Sequence, residues 1–449
     1  MTSSPGVPAT PSGRVSLGRL ALRGSAWTLG GNAAGQVLRL GGNLVLTRLL
    51  FPEAFGLMAL VQIAMNGVRM FSDVGLRGSV VQHPRGDDAA FLNTVWTFQI
   101  LRGLVIFAIL TLLAWPMSLL YEEPRLRLLV PIVAFAAIIT GFASTAIYTL
   151  VRQVRPAPHV ALDLGVQAFD IVVIIVWAWF SPTVWALVAG ALAGPLLRVV
   201  VSHRLIPGYR NRLGFDRSDA QSIFRFGRWI FLATAATFVI SQGDRVVLGK
   251  FLTLEQFGVY SVAFFLAQAL TGSIQLLSGN VLFPVYSRLV SRPLEAVRRD
   301  IFRVRRLLLA LSIPVLCVLA VFGDRIVDLL YDSRYADAGW MLQILAVGMI
   351  GSVVALTAER ILTAKGNSFG HMVLQVANAV LLVAGLGVGG FFGGVKGMLW
   401  GASVGRLLSY VPLALLIRPY GLWMPRLDAV AFLAAGTALG LGFWMRGLP

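Results

Sequence analysis

The sequence predicts an all-α polytopic membrane protein built from two six-helix lobes and an extra C-terminal helix. Three observations support this fold class. The 449 residues are 57% hydrophobic and only 13% charged, about half the charged share of a typical soluble domain. Long apolar stretches recur along the whole chain, and each can cross a bilayer as a helix. The first half of the sequence also recurs in the second half at a constant offset.

Thirteen apolar stretches are candidate spans, because a helix needs about 20 apolar residues to cross the hydrocarbon layer. They lie near 25–47, 55–76, 92–118, 127–150, 160–180, 183–202, 229–249, 257–283, 307–330, 340–362, 370–391, 397–417 and, most weakly, 428–445. The predicted domains are a flexible cytoplasmic tail, an N-terminal lobe, a basic cytoplasmic linker, a C-terminal lobe and an extra helix, at 1–24, 25–202, 203–228, 229–419 and 420–449. The tail lacks the apolar core of a cleaved signal peptide.

The distribution of basic residues predicts the orientation. With a cytoplasmic N-terminus, 23 Lys and Arg residues fall in cytoplasmic segments, including seven from Arg288 to Arg306, and 8 fall on the opposite side. The positive-inside rule therefore predicts a multi-pass protein of the cell inner (plasma) membrane with its N-terminus inside. The net charge of +18 follows from these same segments, which argues against a nucleic-acid partner. The single Cys317 and four scattered histidines predict no disulfide, no metal site and no cofactor.

An internal repeat appears when the chain is shifted by 202 residues. RLLFPEAFGLM then aligns with KFLTLEQFGVY, so that Glu53 matches Glu255 and Gly56 matches Gly258. Trp27 aligns with Trp229 without a gap. A unit of six helices gives both copies the same orientation, which predicts a parallel repeat about an axis normal to the membrane. Two such lobes leave a central cleft.

Basic residues inside the spans are candidate cleft ligands, because a charge in the hydrocarbon layer is costly and usually functional. Seven arginines remain within the spans: Arg39, Arg69, Arg102, Arg198, Arg245, Arg360 and Arg406. Arg198 and Arg245 are close enough to helix ends to extend towards water. Arg39 lies on a polar stripe with Gln36 and Asn43, for which a cleft-facing anion contact is weighed against a structural hydrogen bond between helices.

Further polar residues extend this set of cleft candidates. Arg69 and Asn66 lie on one side of the second span. Asp73 is one helical turn from Arg69, and it either neutralises the charge of Arg69 or gates the cleft. Gln268 and Gln275 share a face of the eighth span, and Arg360 lies near the end of the tenth. Asp244 and Arg245 are adjacent, so they cannot neutralise each other on one helix, and a structural or gating role is predicted. Arginine suits phosphate oxygens, so the predicted substrate is anionic.

Several motifs resemble those of a known family. SQGDRVVLGKFLTLEQFGVYSVA resembles an oligosaccharide-flippase signature at Asp244, Arg245, Gly249, Gly258 and Tyr260. LFPVYSRL (282–289) and FSDVGLRGSVVQ (71–82) resemble further motifs of the same family. The chain is thus identified as similar to the polysaccharide-transporter (Wzx-type) family of the multidrug/oligosaccharidyl-lipid/polysaccharide (MOP) superfamily, whose fold is shared with the MATE transporters.

The resemblance implies a function and its partners. It implies alternating access through a cationic cleft that flips undecaprenyl-diphosphate-linked oligosaccharide across the inner membrane for exopolysaccharide, capsule, O-antigen or other lipopolysaccharide assembly. Polysaccharide polymerase and glycosyltransferases are the implied protein partners, and membrane lipid surrounds the chain. The alternative is a multidrug or organic-cation antiporter, but Asp73 and Asp170 are then outnumbered by arginines in the first lobe. A membrane enzyme is disfavoured because the largest outer loop, 323–339, is too short to form a catalytic site alone.

Overall fold

The computed structural model describes residues 17–72, 76, 78, 80, 83, 85–152, 156–206, 211–214, 216, 230–277 and 294–447. These residues form a helical bundle without a described β-strand. The helices are α1 Leu17–Leu49, α2 Pro52–Phe71, α3 Ala89–Leu120, α4 Leu126–Gly141, α5 Ala146–Arg152, α6 Pro156–Phe180, α7 Val184–Ser202, α8 Ile230–Phe251, α9 Leu254–Leu277, α10 Leu294–Leu330, α11 Ala338–Ala364, α12 Ser368–Leu408, α13 Tyr410–Ile417 and α14 Pro425–Met445. We call α1–α7 the N-terminal lobe and α8–α13 the C-terminal lobe.

The thirteen predicted spans each coincide with helix among the described residues. The fourth is divided between α4 and α5, and the weak thirteenth is the continuous helix α14. Helix α1 begins at Leu17, inside the predicted tail. Successive crossings alternate in direction, so we call the end where α1 begins the proximal face and the opposite end the distal face. The predicted fold class of two six-helix lobes and an extra helix is confirmed.

Short polar and glycine signals set several helix ends. The Asp88 carboxylate accepts a hydrogen bond from the Ala90 backbone N–H, which caps the start of α3. Asn367 caps α12 in the same way by accepting from the Gly370 N–H at 2.7 Å. Pro52 begins α2, where its missing N–H has no helical partner to lose. These caps satisfy backbone groups that lie at helix ends and outside the helical hydrogen-bond ladder.

Helix α12 contains two crossings joined by a turn at Gly393–Gly394. Gly394 has φ +55° and ψ −140°, a backbone conformation that only glycine adopts without strain. The two arms then pack tightly, because a Cβ on Gly389 or Gly397 would collide with the carbonyl oxygen of the other residue. The glycine-rich sequence therefore produces the hairpin that separates the predicted spans 370–391 and 397–417.

The two lobes repeat the same packing order. In the N-terminal lobe α1 packs on α6 and α3 packs on α4, while in the C-terminal lobe α8 packs on α12 and α10 packs on α11. The lobes meet where α2 packs on α9. At that contact a Cβ on Gly56 would collide with the Leu254 carbonyl, and a Cβ on Gly258 would collide with the Pro52 carbonyl. Both pairs of positions are related by the shift of 202 residues, so the repeat axis passes through this contact.

The extra helix α14 packs along α10 through a fully buried ion pair. Arg305 and Asp428 approach to 2.7 Å, with side chains 0% and 1% exposed. Arg305 also donates to the Thr357 hydroxyl, and Tyr410 donates to Asp428. The count of basic residues assigns Arg305 to a cytoplasmic segment, and the structure places it on α10, which begins at Leu294. The apolar stretch after 307 predicts the span at 307–330. It does not predict that the same helix begins earlier, at Leu294, on the proximal side.

Candidate substrate cavities

The N-terminal lobe encloses a polar cavity of about 560 Å³ in its proximal half. Three arginines line it, Arg69 from α2, Arg102 from α3 and Arg198 from α7, together with Asp170 from α6. Helices α4 and α5 contribute further lining residues, so six helices surround the cavity. Three guanidinium groups and one carboxylate give the cavity wall an excess of positive charge, and neutral polar side chains such as those of Gln99 and Tyr148 lie beside them.

The three arginines differ in how their charge is neutralised. Arg198 is paired with Asp163 at 2.5 Å. Arg102 donates to the Arg69 carbonyl oxygen at 2.9 Å and to the Ser72 hydroxyl. Arg69 is exposed to the cavity, and no carboxylate of the described residues lies within ion-pair distance of it. Arg69 is the most exposed of the three arginines.

Asp170 is the acidic residue of this cavity. Its Oδ1 atom is buried without a hydrogen-bond partner among the described residues. The carboxylate lies against Gly194, where any larger side chain would collide with it. Gly194 thus makes the room that the carboxylate occupies between α6 and α7.

The C-terminal lobe has a second polar cavity, of about 250 Å³, also in its proximal half. Gln268 and Gln275 line it from α9, as their shared helical face predicted. Glu359 lines it from α11 and Arg406 from α12. The Thr271 hydroxyl donates to the Gln268 side chain at 2.5 Å, which orients the amide. This cavity carries mixed charge and amides, whereas the N-terminal cavity is cationic.

Asp244 is buried where three helices of the C-terminal lobe meet. It is 1% exposed, pairs with Arg406 at 2.5 Å and accepts a hydrogen bond from the Tyr260 hydroxyl at 3.0 Å. These contacts join α8, α9 and α12. Its sequence neighbour Arg245 points elsewhere, donating to Gln242 and stacking over the Phe264 ring at 5.3 Å. The two side chains thus have different partners, and a structural or gating role for the pair stays a prediction.

The distal side of the cleft is closed by contacts between the lobes. Arg334, in the loop after α10, donates to the Thr47 and Arg48 carbonyl oxygens at 3.0 and 3.2 Å, at the C-terminal end of α1. Asp332 pairs with Arg334, and the pKa of Asp332 is lowered by the hydrogen bonds it accepts from this guanidinium. We call Asp332, Arg334 and Tyr335 the distal latch, because Tyr335 also donates to the Leu50 carbonyl.

The predicted polar stripe of α1 lies between the lobes. Gln36 donates to the Ala269 carbonyl of α9 at 2.9 Å, and Asn43 accepts from the Tyr331 hydroxyl at 2.8 Å. Arg39 donates to the Gln36 side chain at 2.7 Å while its own side chain stays exposed. Gln36 and Asn43 therefore make hydrogen bonds between the lobes, whereas Arg39, among the described residues, bonds to Gln36 of its own helix and lines neither cavity.

The structure thus brings together part of the predicted site. Arg69 lines the N-terminal cavity, and Gln268 and Gln275 line the C-terminal one. Asn66 and Arg360 are not among the described residues that line either cavity. Asp73 lies outside the described residues. Arg102, Arg198 and Arg406, which the sequence marks only as intramembrane arginines, line these cavities. Glu359, which the sequence marks only as the neighbour of Arg360, also lines the C-terminal cavity.

Comparison with known proteins identifies the family. The profile of the family described as "Polysaccharide biosynthesis protein" matches residues 45–339, which is about two thirds of the chain. The chain belongs to this family. Lipopolysaccharide biosynthesis protein WzxC of Escherichia coli (strain K12) is 20% identical over 95% of this chain and 89% of its own length. Succinoglycan biosynthesis transport protein ExoT of Rhizobium meliloti (strain 1021) is 22% identical over 68% of this chain and 61% of its own length.

Solved structures agree on the fold. The lipid II flippase MurJ, in an inward closed conformation, superposes with a TM-score of 0.71 over 95% of this chain and 93% of its own, at 12% identity. An inward-facing MATE family multidrug transporter of the MOP superfamily superposes with a TM-score of 0.62. The match covers 91% of this chain and 95% of the transporter, also at 12% identity. The protein is therefore a multi-pass membrane protein of the polysaccharide biosynthesis family, and it has the fold that these two transporters share.

Proposed function

We propose that this protein flips undecaprenyl-diphosphate-linked oligosaccharide across the inner membrane for assembly of a surface polysaccharide. The observation that carries this proposal is the cationic cavity of the N-terminal lobe, with Arg69, Arg102 and Arg198 on its wall. A diphosphate offers several anionic oxygens, and the planar guanidinium group binds such oxygens through two parallel hydrogen bonds. The names of the relatives WzxC and ExoT, which refer to lipopolysaccharide and succinoglycan biosynthesis, support a saccharide-bearing substrate.

The proposed mechanism is alternating access between the lobes. Both polar cavities lie in the proximal half, while the distal latch and the α2–α9 contact close the other half. The diphosphate binds Arg69 first, because the charge of Arg198 is already offset by Asp163. Arg39 lies next to the cleft and is the second candidate diphosphate ligand, with Gln268 and Gln275 facing the sugars. The prenyl chain stays in the bilayer between the lobes.

The proposed orientation places the proximal face in the cytoplasm. The excess of basic residues in proximal segments supports it through the positive-inside rule. Substrate then enters from the leaflet in which lipid-linked sugars are assembled. Glycosyltransferases and a polysaccharide polymerase are the proposed partners before and after this step.

The test is a flipping assay with single arginine variants. Arg69→Gln and Arg39→Gln are compared with Arg204→Gln, which removes an exposed proximal arginine that lines neither cavity. We expect Arg69→Gln to slow the appearance of lipid-linked oligosaccharide in the distal leaflet by about tenfold to hundredfold, the range expected when a hydrogen bond to a charged group is lost. The double variant should be slower still. Wild-type flipping in both single variants and in the double variant would refute the cavity assignment.

A second candidate function, antiport of organic cations, is favoured by one observation. Asp170 presents a buried carboxylate oxygen without a described partner in the same cavity. Three arginines surround this cavity, however, and they repel a cation more than one carboxylate attracts it. Efflux of an organic cation from proteoliposomes separates the candidates: transport of the cation that is lost in Asp170→Asn and retained in Arg69→Gln would favour antiport.

A further inference from the structure

The proximal end of α10 carries a basic surface that transport does not account for. Four arginines on this helical extension are exposed, and they follow each other at helical spacing: Arg298, Arg299, Arg303 and Arg306. None of them takes part in an ion pair within the described part of the chain. Arg426, at the start of α14, is exposed beside them.

A groove of about 460 Å³ runs between this extension and the start of α14. Its walls are Phe302, Met424, Pro425 and Leu427, and its charged rim is formed by Arg298, Arg299, Arg426 and one acid, Glu295. An apolar groove bordered by three cations and one anion matches a molecule with an anionic end and an apolar body. The groove lies on the outside of the bundle, away from both substrate cavities.

The surface beyond the groove is apolar in the direction of the bilayer. Along α10 the side chains of Leu307, Leu311 and Val315 are 60%, 61% and 44% exposed. On the facing helix α14, Val430 and Leu433 are 63% and 68% exposed. An acyl chain that leaves the groove can therefore continue along the exposed outer faces of the two helices.

The groove is held open by a rigid wall. Val297 and Ile301, on the opposite face of the same extension, are 2% and 0% exposed and pack into the cluster formed with α11 and α13. One turn further on, the buried Arg305–Asp428 pair fixes the separation of α10 and α14. The arginine rim is thus displayed by fixed backbone, which lowers the entropy cost of binding.

We infer that this groove, which we call the α10–α14 groove, binds one acidic phospholipid of the leaflet at the proximal face. The phosphate group lies against Arg298, Arg299 and Arg426, and one acyl chain follows Phe302 and Leu307 into the bilayer. In the proposed orientation this is the cytoplasmic leaflet, whose acidic lipids attract juxtamembrane arginines. The bound lipid then fastens the extra helix to the C-terminal lobe independently of the transport substrate.

Native mass spectrometry of the full chain in detergent tests this inference, with dioleoylphosphatidylglycerol as probe and dioleoylphosphatidylcholine as the neutral comparison. We expect one phosphatidylglycerol to bind in preference to phosphatidylcholine. The variant Arg298→Gln/Arg299→Gln/Arg426→Gln should weaken that binding by about tenfold or more, because each arginine near the lipid phosphate contributes separately. The matched control Arg204→Gln/Arg212→Gln/Lys365→Gln removes three exposed proximal charges elsewhere and should bind as the wild type does.

Four outcomes would overturn the inference. They are equal binding of the two lipids, unchanged binding in the groove variant, an equal loss in the control variant, and displacement of the lipid by equimolar inorganic phosphate, which would assign the cations to a free anion. Gel filtration and thermal unfolding establish that each variant is folded. The lysine variant Arg298→Lys/Arg299→Lys/Arg426→Lys keeps the charge, so it should bind more tightly than the glutamine variant, and an equal loss would contradict recognition by charge.

Discussion

At the scale of single residues, burial decides which of the many ion pairs matter. Asp244 and Arg406 are 1% and 12% exposed, whereas Asp87 and Arg152 form a similar contact at 57% and 23% exposure. Breaking a buried pair leaves a charge with neither water nor partner, while an exposed pair is replaced by hydration. The same arginine–aspartate chemistry should therefore have very different consequences at the two sites.

We predict that Asp244→Asn destabilises the protein by about 3–5 kcal/mol, because it leaves Arg406 buried without a counter-charge. Tyr260→Phe removes one hydrogen bond to the same carboxylate and should cost only about 1 kcal/mol. Asp87→Asn is the exposed control and should cost less than about 1 kcal/mol. Thermal unfolding in detergent ranks the three variants, and equal effects of Asp244→Asn and Asp87→Asn would contradict the structural role of Asp244.

Sequence spacing predicts which residues of the candidate site share a helical face, but it does not predict which residues of different helices meet. Gln268 and Gln275 are on one face of α9 by their spacing, and the structure shows both on the cavity wall. The partner of Asp244 is 162 residues away, at Arg406, and no local pattern points to it. Likewise, the position of Arg198 near a helix end predicts a side chain that extends towards water. It does not predict the ion pair with Asp163, which lies 35 residues earlier in the sequence.

At the scale of helices, glycine marks the places where backbone must meet backbone. Gly56 and Gly258 are related by the internal repeat, and each faces the carbonyl oxygen of the residue that starts the opposite helix. Gly436 on α14 faces open space. Replacement by alanine should therefore destabilise the protein at Gly56 and Gly258 and stabilise it at Gly436.

We predict that Gly56→Ala and Gly258→Ala each destabilise the closed distal contact by about 1–3 kcal/mol, the usual cost of overpacking. Pseudo-symmetry requires the two effects to be similar. Gly436→Ala should instead stabilise α14 by about 0.5–1 kcal/mol, since alanine is the better helix former and meets no neighbour. Thermal unfolding of the three variants measures these effects, and a stabilising Gly56→Ala would show that α2 and α9 do not meet as described.

The helices themselves were largely predictable, because lipid leaves few alternatives to a long apolar helix. The repeat at 202 residues, found from Trp27, Glu53 and Gly56, also predicted how α2 and α9 would be related. The attachment of α14 was not predictable in this way. Its anchor joins Arg305 to Asp428, two charged residues at the edges of apolar stretches that are 123 residues apart in the sequence.

At the scale of the whole molecule, the proposed alternating access requires each end of the cleft to close and open in turn. The distal latch contributes hydrogen bonds that cross from one lobe to the other, through Arg334 and Tyr335. The α2–α9 contact lies beside it and closes the same end. Opening the distal side therefore requires the Arg334 contacts with α1 to break, and their strength sets part of the equilibrium between the two conformations.

We predict that Arg334→Gln shifts the population towards distal-open conformations by about tenfold, the effect of losing about 1.5 kcal/mol from hydrogen bonds to a charged group. Spin labels at Ser181→Cys and Asp328→Cys, in a Cys317→Ser background, report the distance between the lobes on that face. Arg325→Gln removes an exposed distal arginine that stacks on Phe322 and is the control. An unchanged distance distribution in Arg334→Gln would contradict the latch.

The latch should also be insensitive to pH over the neutral range. Arg334 lowers the pKa of Asp332 below its ordinary value of 3.8, so the carboxylate stays charged until strongly acid pH. A lowered pKa in the closed state means that the stabilisation is present above the ordinary value and is lost as pH falls through the lowered one. We therefore expect the label distances of the wild type to be constant from about pH 8 to about pH 5, because both values lie below that interval. A distal opening that titrates within this interval and persists in Asp332→Asn would place the pH-sensitive group elsewhere in the molecule.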